Sequence, residues 1–126
     1  MNGQVKLTTR LSVTYDLEFQ QGDIVVVPFP YTDRKTEKRR PALVISSGEI
    51  TRQHGLIWLA MITSSENQSW TGDVAIAGQS SGLGFPSVIR VAKLATVDAG
   101  GIIRVAGKLD AGTWERVRST LLSNLK

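Results

Sequence analysis

At 126 residues and 41% apolar content, the chain suits one domain able to bury roughly two-thirds of its unfolded surface, with no need of a second. Fifteen Lys and Arg against 11 Asp and Glu leave a net charge of +4, which favours a polyanionic partner. The lack of cysteine excludes a disulfide scaffold and a thiolate zinc site, and no apolar run reaches membrane-spanning length, so a cytoplasmic protein is expected.

Residues 1–18 read as an amino-terminal extension ahead of a domain over 19–126. Val5, Leu7, Leu11 and Val13 alternate with polar neighbours, a pattern open either to an added edge strand or to disorder. The densest information follows, in GDIVVVPFPYTDRKTEKRRPALVI from Gly22 to Ile45. Its β-branched run Ile24 to Val27 predicts a strand buried on both faces. Pro28 and Pro30 are expected to stop that strand and send Phe29 and Tyr31 out as an extended segment.

The next loop is cationic: Arg34, Lys35, Lys38, Arg39 and Arg40 face the single acid Glu37, a density suited to phosphate oxygens. Pro41 pushes Arg40 into an extended conformation, setting one guanidinium at a stiff strand entrance. Leu56 to Ile62 predicts a central strand ended by Thr63, and Asp73 to Ile76 a weaker one. Gly78, Ser80, Ser81, Gly82 and Gly84 mark a polar connection. Val88 to Leu94 is a further strand. Its Arg90 and Lys93 have opposite parity, so either a bulge intervenes or only one of them points into a shared groove. The chain closes on a helix whose Trp114, Val117, Leu121, Leu122 and Leu125 form an apolar stripe, capped by Asp110 or Thr113 and expected to pack on the protein's own barrel. Short apolar runs without a repeat favour a small, mainly β barrel. His54, the sole histidine, sits in a polar turn and is expected to be solvated.

The pattern G-D-I-V-x-V-P-F-P-x-T-D, a charged loop and R-R-P-A-L-V-I-S resembles the opening of the PemK/MazF family of type II toxin-antitoxin ribonuclease toxins. LIWLAMITS (Leu56 to Ser64), SVIRVAKLATVD (Ser87 to Asp98) and Gly107-Lys108-Leu109-Asp110 extend the likeness in colinear order over residues 19 to 125. The resemblance implies an SH3-like β-barrel with a C-terminal helix, acting as a sequence-selective endoribonuclease on single-stranded RNA without metal or other cofactor. It also implies a homodimer and a cognate antitoxin whose acidic tail competes with RNA.

Carried over by motif, the catalytic arginine falls on Arg40 and the catalytic hydroxyl on Thr63 or its neighbour Ser64. Metal-free cleavage uses the ribose 2′-hydroxyl as nucleophile. The enzyme must then help remove that proton, neutralise the phosphorane and protonate the leaving oxygen. A guanidinium suits the second task, donating two hydrogen bonds while staying charged, and is an awkward general base. Arg34, Lys35, Lys38, Arg39, Arg90 and Lys93 are candidate phosphate contacts. Phe29, Tyr31 or Trp70 could stack on bases, although Phe29 could equally plug the core and Trp70 brace its loop. Many relatives carry an acid where this chain has Ala92, so cleavage specificity does not transfer. The alternative function is a non-catalytic module of the same barrel, poisoning gyrase by protein contact or binding nucleic acid without cutting it.

Overall fold

The run Ile24 to Val27 opens β1 (Asp23–Pro30), and β2 (Glu37–Val44) returns antiparallel to it with Val27 opposite Arg40 and Pro30 opposite Glu37. The computed structural model describes residues 19–30 and 37–126. The extension over 1–18, with Tyr31, Arg34 and Lys35, lies outside the described residues. The chain continues through α1 (Gly48–His54), β3 (Leu56–Ser64), β4 (Val74–Ile76), α2 (Gly78–Ser81), β5 (Ser87–Asp98), a single 3-10 turn at Ala99–Gly101, β6 (Arg104–Lys108) and α3 (Ala111–Asn124). The strands form one antiparallel sheet in the order β4-β5-β3-β2-β1-β6, curled into a half-barrel. The mainly β barrel with a C-terminal helix expected from the sequence is therefore what forms.

Pro28 and Pro30 do not end β1, contrary to the sequence expectation. The Val26 carbonyl accepts from Ile103 N–H at 2.8 Å, so residues of that parity turn their backbone groups toward β6 and away from β2. Pairing with β6 reaches only Val26 opposite Arg104. Beyond it β1 is an edge, where a proline has no ladder bond to lose.

Side chains alternate between two apolar clusters. On one face Ile24, Leu43, Ile45, Ala60, Ile62, Ile89 and Val91 pack together, joined by Val74 and Ile76 of β4. The other face gathers Val25, Val27, Ala42, Val44, Ile57, Leu59 and Met61, with Phe19 and Phe29 packed against them. Helix α3 covers the first cluster. Asp110 caps it, Oδ1 accepting from Thr113 N–H at 2.8 Å and Oδ2 from the Thr113 hydroxyl at 2.9 Å. Val117 is fully buried, while Trp114 and Leu121 are partly covered. The remainder of the predicted stripe is not used, and Leu125 stays 81% exposed.

Strand β5 changes register against β3. Met61 faces Arg90, whereas the next residue, Ala60, faces Leu94, so Val91, Ala92 and Lys93 form a bulge. Alternation restarts across it. Arg90, between the first-cluster residues Ile89 and Val91, points to the second-cluster face, and Lys93 belongs to the bulge itself.

Candidate functional site

Strands β2 and β3 are joined by the pairs Val44–Leu59, Leu43–Ala60 and Ala42–Met61. The next residue of β2 is Pro41, whose missing N–H gives the ladder nothing to continue with. Arg40 and Thr63 each lie two residues beyond the last pair, Ala42–Met61. Both belong to the second-cluster face, Arg40 in step with Ala42 and Val44, and Thr63 in step with Leu59 and Met61. Both are half-buried. Arg40 and Thr63 are thus the first residues of this face beyond the last β2–β3 pair.

Around this pair the candidates sort by parity. Lys38 is exposed, two residues from Arg40 on the same face and opposite Phe29. Lys93 is exposed at the bulge of β5. Arg39 points the other way. Ser64, the second candidate hydroxyl, has the parity of Ala60 and Ile62 and so falls on the first-cluster face. Its Oγ accepts from Glu66 N–H at 3.2 Å, within the turn that leaves β3.

Arg90 reaches this face without being open to solvent, its side chain only 10% exposed. Nε and Nη2 meet Asp73 Oδ1 and Oδ2 at 3.2 and 3.0 Å, and Nη2 also donates to the Gln68 carbonyl. Trp70 lies over the guanidinium with its ring centroid 4.3 Å away. Burial would push the Asp73 carboxyl up, but the Arg90 hydrogen bonds, the Trp70 N–H and the Arg90 charge together hold it below the ordinary value. Arg90 is therefore placed as the anchor of the 65–73 loop rather than as an open phosphate contact. One face of Trp70 is occupied by Arg90, and the residue remains 43% exposed.

The anchored loop brings Asn67 to the site. Its Nδ2 donates to Thr63 Oγ1, and its backbone N–H donates to the Ser64 carbonyl at 3.1 Å. Asn67 and Asp73 are absent from the residues singled out by sequence. Only the partner of Arg90 left a trace there, because an arginine inside the apolar run Val88 to Val91 must have a buried counter-charge. Nothing in the polar run Ser64 to Ser69 distinguishes Asn67 from its neighbours. His54 is exposed in the last turn of α1. Among the described residues no cluster of three or more His, Asp or Glu could hold a metal ion, and no helix is long and apolar enough to cross a membrane.

A curled antiparallel sheet backed by a C-terminal helix defines a small half-barrel. The family model of the PemK-like, MazF-like toxins of type II toxin-antitoxin systems matches residues 20–125, and the chain belongs to this family. Among solved structures, MazF in a MazE-MazF crystal from Deinococcus radiodurans superposes with a TM-score of 0.71 at 23% identity, over 86% of this chain and 96% of that one. The Mycobacterium tuberculosis toxin MazF-mt6 gives 0.65 at 22% identity, over 82% and 95%. A mycobacterial endoribonuclease in complex with its cognate antitoxin gives 0.69 at 13% identity, over 86% and 94%. Comparison with curated protein sequences finds no match.

Proposed function

We propose that the protein is a metal-independent, sequence-selective endoribonuclease toxin that cleaves single-stranded RNA. The observation that supports this reading is that the β2–β3 ladder ends at the Ala42–Met61 pair, with Arg40 and Thr63 the next residues of the same parity on either strand. In this reading the RNA backbone lies across that ladder end with a non-bridging phosphate oxygen against each side chain. The 2′-hydroxyl of the preceding ribose attacks phosphorus as its proton passes to water, and the bond to the 5′ oxygen of the next nucleotide breaks as that oxygen takes a proton from water. One product then ends in a cyclic or opened phosphate and the other in a 5′-hydroxyl.

Arg40 neutralises the extra negative charge of the phosphorane, and Thr63 donates to it and holds it in line. Lys38 on the same face and Lys93 at the bulge lead the flanking phosphates, and the outer surface of Trp70 offers a stacking plane for an unpaired base. A cognate antitoxin would compete for this basic face with an acidic segment, and family likeness supports a homodimer acting in the cytoplasm.

The test is cleavage of a long single-stranded RNA in the presence of a chelator, with the product ends mapped. Arg40→Ala is expected to abolish cleavage and relieve growth inhibition while melting close to wild type. A folded wild-type chain that leaves the RNA intact would point instead to a binding module.

A further inference from the structure

Thr63 can help a phosphate only if its hydroxyl proton points at it, and a threonine at a strand end has no intrinsic reason to orient it so. We infer that Asn67 is the residue that orients it, an inference that rests on the nuclease reading above. The Asn67 amide nitrogen donates to Thr63 Oγ1, so the oxygen acts there as an acceptor and its own proton is left to be donated elsewhere. That direction holds the RNA phosphate beside Arg40.

The loop is built to keep Asn67 in place. Its backbone N–H is tied to the Ser64 carbonyl at 3.1 Å, and the preceding residue, Glu66, is tied through its N–H to Ser64 Oγ at 3.2 Å. The following residue, Gln68, has its carbonyl taken by Arg90. Arg90 is in turn locked to Asp73, whose N–H and Oδ2 close a reciprocal turn with Trp70 at 3.1 and 3.0 Å. A buried ion pair therefore braces, through one backbone carbonyl, the side chain that sets the direction of a surface hydroxyl. Asn67 touches no reacting atom in this scheme and is a positioning residue.

A carbonyl oxygen facing Thr63 would instead consume the proton that is needed. Substitution tests this directly. Asn67→Ala should lower the maximal cleavage rate about tenfold, the effect of one lost hydrogen bond, with KM within about twofold and an unchanged melt. Asn67→Asp, which can only accept and so captures the Thr63 proton, should fall further. In a Thr63→Ala background, read by single-turnover cleavage at high enzyme excess, Asn67→Ala should change nothing more.

A wild-type rate in Asn67→Ala, or an equal fall with and without the Thr63 hydroxyl, overturns the inference while leaving the nuclease reading intact. Full activity in Thr63→Ala overturns the role of Thr63 and the inference together.

Discussion

Arg90 and Asp73 meet across 17 residues of chain through two hydrogen bonds of 3.2 and 3.0 Å, with both side chains about nine-tenths buried. The pair ties strand β5 to the loop that carries Asn67 against Thr63, so its loss would be felt as both instability and misplacement. Removing one member strands the other charge in a dry site, which typically destabilises by about 3–5 kcal/mol. Arg90→Ala is expected to lie near the lower end, about 3 kcal/mol in urea unfolding, because the neighbouring loop can open to water. Trp70 loses the cation beneath it, so its fluorescence should shift in the folded variant.

The same pair sets an acid limit. Because the folded-state pKa of Asp73 is depressed below its ordinary 3.8, its contribution is complete above that value and is lost as pH falls toward the folded-state value. Asp73→Asn should be less stable than wild type at neutral pH, and the gap between them should narrow only below about pH 4. Asp110 is depressed as well, chiefly by the Thr113 N–H and then by the Thr113 hydroxyl, so Asp110→Asn serves to separate the two in urea titrations at stepped pH.

Face parity separates the two candidate hydroxyls. Thr63→Ala should reduce RNA cleavage about 10²–10³-fold, the usual effect of removing one donor aimed at developing charge. Ser64→Ala, on the opposite face, should retain most of the activity and lose only the hydrogen bond from Glu66 N–H. Equal losses in initial-rate assays would mean that alternation does not describe the end of β3.

Much of this architecture was legible from patterns whose cause is local. β-branched runs gave strands, and the offsets of Trp114, Val117 and Leu121 gave the packed face of α3. Arg40 and Thr63 could be picked by motif, but where the β2–β3 ladder ends beside them depends on a register that no local rule supplies. The opposite parity of Arg90 and Lys93 was visible as a choice, and a bulge does intervene between them. Misread features share one origin, which is that sequence does not say which side of a strand is an edge. Pro28 and Pro30 looked like strand breakers because the missing N–H groups were assumed to be needed, and Arg90 looked like a phosphate contact because Asp73 lies 17 residues away.

Closure of the half-barrel makes a graded prediction. Sheet edges β4 and β6 are bridged by α2 and the residue after it, and the backbones meet so closely that a side chain fits on neither. A Cβ at Gly82 would lie 2.1 Å from the Ala106 carbonyl oxygen, and one at Gly107 would lie 2.2 Å from that of Ser81. Gly82 also has a φ of +80°, which an L side chain adopts only under strain. Gly82→Ala should therefore destabilise most, by about 2–4 kcal/mol, and Gly107→Ala by about 1–3 kcal/mol. Gly84, with a φ of +85° but open space around it, isolates the backbone contribution, so Gly84→Ala should cost about 1 kcal/mol. Gly100 has neither constraint, and Gly100→Ala should be neutral or slightly stabilising. Urea unfolding of the four variants checks the order. If Gly107→Ala unfolds like Gly100→Ala, the seam is loose enough to give way, and the barrel does not depend on this contact to stay closed.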